Sequence, residues 1–118
     1  MSRRIALVVD DDHSIRVFMK MVLEREQFET LEAECGEGAL EIVKGLGGSI
    51  DLIVTDIQMP NGDGLTLAFA VRKLFPSVPI VLVSGCVRPD TGFDFLEKPF
   101  TSAALATTVR RIIASKAA

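Results

Sequence analysis

Five short apolar runs alternate with stretches whose apolar residues recur at helical spacing, and this alternation leaves the chain few folds to choose from. Ile5 to Val9 is continuously apolar, as expected of a strand covered on both faces. Ile15, Phe18, Met19, Val22 and Leu23 then fall on one face of an amphipathic helix. A short strand follows near Glu29 to Ala33. Ala39, Ile42, Val43 and Leu46 mark a second helix, ended by Gly45, Gly47 and Gly48. Leu52 to Thr55 reads as the third strand. Leu67, Val71, Leu74 and Phe75 define a third helix, closed by Pro76. Ile80 to Val83 is the fourth strand and Phe93 to Glu97 the fifth. Thr101 is placed to cap a last helix that turns Leu105, Val109, Ile112 and Ile113 inward. Strands alternating with helices predict right-handed crossovers and an α/β doubly wound sheet of five parallel strands.

One connection is too short for that rule. Only nine residues, Ser84 to Gly92, separate the fourth and fifth strands, and they include Gly85, Pro89 and Gly92. A parallel crossover usually takes about a dozen residues or more with a helix inside, and Gly, Pro and Asp oppose one here. The expectation is a loop, with at most one helical turn, where the alternation calls for a helix.

Size and charge narrow the function classes. The 118 residues suit one domain, 1–118 with its core at about 4–115, large enough to bury a core without staples. A net charge of −3, with Lys and Arg gathered nowhere, offers nucleic acid no electrostatic footprint. The apolar runs are far too short to span a bilayer, and Met1-Ser2-Arg3-Arg4 followed by five apolar residues and then aspartates does not read as a signal peptide. Cys35 and Cys86 fit neither a disulfide framework nor a metal-ligand spacing. A soluble cytoplasmic protein without direct membrane or nucleic-acid contact is expected.

The chemistry-bearing residues stand where these strands end. Asp10, Asp11 and Asp12 follow Val8-Val9, Asp56 follows Val54-Thr55, and Lys98 follows Glu97. In an open parallel sheet the carboxyl ends of neighbouring strands converge on one crevice. Crowded carboxylates repel, so the crevice calls for a hard cation with oxygen ligands, of which Mg²⁺ is the obvious one. A carboxylate, a divalent metal and a lysine are working parts of phosphoryl transfer.

With these residues in place, the chain resembles the receiver domain of two-component response regulators, a module of flavodoxin-like fold. The resemblance covers roughly Arg4 to Ser115. It rests on Val8-Val9-Asp10-Asp11-Asp12, on Asp51-Leu52-Ile53-Val54-Thr55-Asp56-Ile57-Gln58-Met59-Pro60 running into Gly62-Asp63-Gly64, on Val83-Ser84-Gly85, and on Lys98-Pro99-Phe100. It implies that Asp56 is the phosphoacceptor, an aspartate nucleophile that forms an acyl phosphate. It implies Mg²⁺ held by Asp11, Asp10, Asp56 and the backbone carbonyl of Gln58. Lys98 would neutralise phosphoryl oxygens, Ser84 would hydrogen-bond the phosphoryl group and register its presence, and Gly85 would leave room for it. Phe95 stands where the family has an aromatic switch residue; a core aromatic is the plainer reading. The Lys98–Pro99 peptide is implied to be cis. Cys86 and Gln58 lie where neighbours tune autodephosphorylation. Asp12 is read as a helix cap outside the site, and His13 as a solvated helix-start residue.

The implied partner is a sensor histidine kinase or a histidine phosphotransfer protein, with the chain catalysing only its own phosphorylation and dephosphorylation. The implied fourth helix would belong to the family's usual dimerisation face, so the short connection puts that mode of dimerisation in doubt. With no output segment after Ala118, a stand-alone regulator and a receiver cut from a longer protein are both open. Two rival readings stand beside this one. Asp10-x-Asp12 with Ser84 and a later lysine resembles haloacid-dehalogenase phosphatases, with Asp10 as nucleophile and Asp12 as general acid, although a later acidic pair and room for a cap are lacking. A receiver-fold binding module that is never phosphorylated is the other.

Overall fold

The computed structural model describes residues 3–59, 64–85 and 91–117. Its elements follow in the order β1 (Arg4–Val9), α1 (His13–Arg25), β2 (Phe28–Ala33), α2 (Gly36–Gly45), β3 (Leu52–Asp56), α3 (Gly64–Leu74), β4 (Ile80–Ser84), β5 (Asp94–Glu97) and α4 (Ser102–Ala117). The five strands form one sheet in the order β2-β1-β3-β4-β5, and every neighbouring pair is parallel. The order reverses between β1 and β3, which opens the crevice between the ends of those two strands.

Strand side chains alternate between the two faces, and the core is split accordingly. Ala6 and Val8 of β1, with Leu52 and Val54 of β3, lie under Met19, Val22 and Leu23 of α1 and Leu105 and Val109 of α4. Leu7 and Val9, with Ile53 and Leu82, face Ala39 and Val43 of α2 and Leu67, Ala68 and Val71 of α3. Both faces of the central strands are therefore covered, which is why β1 and β3 read as unbroken apolar runs.

The helix ends are set locally. Asp12 caps α1, its Oδ1 accepting from the Ser14 N–H at 2.8 Å and the Ile15 N–H at 3.3 Å, and Thr101 Oγ1 caps α4 by accepting from Ala104 at 3.0 Å. After α2 the chain turns through Gly47 and Gly48, at φ 60° and 78°. Gly48 also packs directly against the Phe75 ring, where a Cβ would collide. The predicted Leu46 and Phe75 fall just past the ends of α2 and α3.

Among the described residues no helix lies between β4 and β5. The expectation of a loop in that connection falls largely on residues 86–90, which lie outside the described residues, as does Cys86. Within the described remainder, Arg72 of α3 lays its guanidinium 4.1 Å from the centre of the Phe93 ring and 5.0 Å from that of Phe69, and donates to the Thr91 carbonyl at 3.3 Å.

Candidate functional site

Register brings the charged residues together. Val9 pairs with Thr55 across β1 and β3, so Asp10 and Asp56, one residue further on, leave the sheet side by side. Asp56 pairs with Val83 across β3 and β4, and Ser84 pairs with Glu97 across β4 and β5. The ladder continues one step past β5, where the Lys98 N–H donates to the Ser84 carbonyl at 2.8 Å. The Lys98–Pro99 peptide is cis, as the resemblance implied.

The pocket so formed holds two buried carboxylates, Asp10 at 1% and Asp56 at 6% exposure, with Asp11 exposed beside them. One carboxylate oxygen from each of Asp10, Asp11 and Asp56 can be chosen so that all lie within 4.8 Å of one another. Lys98 reaches into this group from β5, its Nζ 2.9 Å from Asp10 Oδ2 and 3.4 Å from Asp56 Oδ2. The other oxygen of Asp10 accepts from the Asp12 N–H at 2.9 Å. Asp56 Oδ1 faces the backbone N–H of Gln58 at a long 3.4 Å. Ser84 is buried at the end of β4.

Burial and the Asp10 charge push the Asp56 carboxyl above its ordinary range, and the Lys98 charge and the Gln58 N–H only partly offset them. Lys98 moves the other way from what burial alone would do. Burial draws its ammonium down, but the hydrogen bond to Asp10 and the charges of Asp10 and Asp56 carry it above its ordinary value. The site therefore has carboxylate charge to spare. An all-oxygen donor set of this kind suits Mg²⁺ or a similar hard cation.

The backbone beneath Asp56 is held as firmly as its side chain. The buried Thr55 hydroxyl donates to the Asp56 carbonyl at 3.0 Å. Gly64, the first residue of α3, donates its N–H to the Ile57 carbonyl at 2.8 Å. A Cβ at Gly64 would run into the Asp56 carbonyl oxygen and crowd Thr55 Oγ1. Close approach to the Asp56 carbonyl is what demands glycine at this position. Pro60, Asn61, Gly62 and Asp63 lie outside the described residues.

Other expected residues find plainer places. Asp12 Oδ1 caps α1, the structural place expected of it. His13 is exposed at the first position of α1. Phe95 is half-buried and packs against the core cluster under α2 and α3, and Gly85 is exposed next to Lys98.

One residue of this neighbourhood went unnoticed in the sequence. Arg16 is 6% exposed and donates from Nη1 to the Asp10 carbonyl at 2.7 Å. It lies three residues before Met19 and seven before Leu23, on the buried stripe of α1, and a charged residue on such a stripe signals a buried partner.

Comparison with known proteins agrees with this geometry. The family model of the response regulator receiver domain matches residues 6–110. Sensor kinase CckA of Brucella abortus is 36% identical over 115 residues, covering 91% of this chain and 12% of that protein. Transcriptional regulatory protein ResD of Bacillus subtilis is 34% identical over 115 residues, covering 91% of this chain and 47% of its own. The chain thus spans less than half the length of these two relatives. Among solved structures, the receiver domain of the hybrid histidine kinase CckA superposes with a TM-score of 0.82 at 35% identity, covering 92% of this chain and 98% of the other. The chemotaxis response regulator CheY4 of Vibrio cholerae gives 0.83 at 27% identity, covering 94% and 99%. A five-stranded parallel sheet in this order, three aspartates and a lysine at its carboxyl edge, and a family match across most of the sequence lead to one assignment: the chain belongs to the response regulator receiver domain family of two-component signalling.

Proposed function

We propose that Asp56 is the phosphoacceptor of this receiver domain and that residues 1–118 act as one phosphorylation-controlled unit. The observation that carries the reading is the convergence of Asp10, Asp11 and Asp56 with Lys98 on one strand-end pocket. Asp10, Asp11, Asp56 and the Gln58 carbonyl would hold Mg²⁺, which when bound supplies positive charge to the phosphoryl oxygens. An Asp56 carboxylate oxygen attacks the phosphorus of a phosphohistidine on a sensor kinase or histidine phosphotransfer protein. The P–N bond breaks as the P–O bond forms, and the departing imidazole takes up a proton. Lys98 turns its ammonium from the carboxylates toward the transferred group, and Ser84 donates a hydroxyl to it. The signal then leaves through altered protein contacts, in which Phe95 can take part only by repacking, or through onward transfer to another histidine.

The donor's approach has room beside Lys98. Ile15, Phe18, Pro99 and Phe100 line an open apolar hollow of ≈ 350 Å³ that Lys98 borders, with the Phe18 and Phe100 rings 5.8 Å apart. No helix among the described residues is long and apolar enough to cross a membrane. Action in the cytoplasm, where the donor histidines would lie, is part of the proposal.

Intact mass after incubation with acetyl phosphate, with and without Mg²⁺, tests the reading in wild type and Asp56→Ala. One phosphoryl group added only to wild type and only with Mg²⁺ is the expected result. An adduct that survives Asp56→Ala would move the nucleophile to another residue, with Asp10 first in line.

A further inference from the structure

The Asp10 carbonyl stands one residue past the end of β1, where the chain turns into the acidic pocket, and a buried guanidinium takes it. Arg16 is a three-way fork. Nη1 donates to the Asp10 carbonyl at 2.7 Å, Nε to Glu32 Oε1 of β2 at 3.0 Å, and Nη2 faces His13 Nδ1 at 3.3 Å. Arg16 Nη2 also lies 3.8 Å from the exposed Glu34 carboxylate. Glu32 is itself steadied by Lys20, 2.9 Å away. On the other side of the same residue, the Asp10 N–H donates to the Ala33 carbonyl of β2 at 3.2 Å. Asp10 is therefore pinned from both ends of its backbone, and Asp11 follows directly from the pinned carbonyl.

We propose that Arg16 is a positioning residue for the divalent cation, holding the turn through Asp10 and Asp11 so that their carboxylates converge with that of Asp56. The inference rests on the reading of those three carboxylates as the cation site. A planar fork can serve a carbonyl, a carboxylate and an imidazole nitrogen on three different segments at once; an ammonium cannot. Groups that orient metal ligands without touching the metal typically set about ten- to a hundred-fold of its affinity.

Charge and position make opposite demands here, which makes the proposal decidable. If Arg16 acted only as a buried positive charge near the carboxylates, its removal would tighten cation binding. If it positions them, removal weakens binding. Calorimetric titration of the full chain with Mg²⁺, and with Mn²⁺ as a second probe, is the test for wild type, Arg16→Gln and Arg16→Lys, each checked for folding by circular dichroism. Arg16→Gln is expected to bind about ten-fold or more weakly, and Arg16→Lys, which keeps the repelling charge but not the fork, to bind no more tightly than Arg16→Gln. The Mg²⁺ concentration for half-maximal phosphorylation by acetyl phosphate should rise in parallel, with the rate at saturating Mg²⁺ largely kept. Unchanged or tighter binding in folded Arg16→Gln would overturn the proposal. Where that variant fails to fold, wild-type affinity in Arg16→Lys would do the same. A wild type that takes up neither cation would instead overturn the cation site itself.

Discussion

Lys98 Nζ stands 2.9 Å from Asp10 and 3.4 Å from Asp56, so a single ammonium ties together the ends of β1, β3 and β5. It is nearer to Asp10, 88 positions away, than to Asp56, the proposed phosphoacceptor. Asp10 is the more deeply buried of the two carboxylates, and an unpaired charge there would be the costlier one. The lysine thus has a task in the resting domain besides the one proposed for it with a phosphoryl group.

Removing that ammonium should destabilise the domain. Lys98→Met leaves two buried carboxylates facing each other without a counter-charge, a loss on the order of 2–4 kcal/mol. Thermal melts in EDTA should show it, and added Mg²⁺ should restore more stability to the variant than to wild type. An equal Mg²⁺ response in both would mean that Lys98 does not compete for the site.

Asp56→Asn should do the reverse. Because the folded-state pKa of Asp56 is raised above its ordinary value of 3.8, its stabilising share is complete below that value and is lost as pH rises through the folded pKa. At neutral pH the charged carboxylate therefore works against folding. The variant should gain on the order of 1 kcal/mol at pH 7, a few degrees in Tm, and nothing near pH 3. A Tm advantage that did not grow with pH between those limits would contradict the assignment of the shift to burial and Asp10.

Gly64→Ala places a methyl group against the Asp56 carbonyl. Backbone must shift to admit it, so a loss of about 2–3 kcal/mol is expected, together with slower phosphorylation of Asp56 at saturating acetyl phosphate. Gly48→Ala serves as the comparison: it should also destabilise, through its positive φ and the Phe75 ring, but should leave the phosphorylation rate of the folded protein unchanged.

Asp12→Ala separates cap from catalyst. Loss of the α1 cap should cost about 1 kcal/mol, with phosphoryl uptake unaltered. Abolished uptake in a folded variant would revive the reading in which Asp12 acts as a general acid.

Much of this protein was legible in one dimension. Unbroken apolar runs and stripes of period 3.6 name strands and helices because burial on two faces, or on one, leaves a different spacing in the chain. The caps Asp12 and Thr101 were readable because their oxygens act within three residues of themselves. Asp56, Asp10 and Lys98 could be placed at one edge of the sheet because strand direction alone sends the carboxyl ends together. Tertiary structure decided what depends on distance between segments. Which carboxylate Lys98 prefers follows from how β5 is registered against β4. That Gly64 is needed for contact with the Asp56 carbonyl depends on where α3 begins over β3. That Arg16 serves Asp10 and Glu32 depends on α1 lying across β1 and β2. Periodicity reports which face of an element is buried, but it carries no word of which polar atom waits there; only packing supplies the partner.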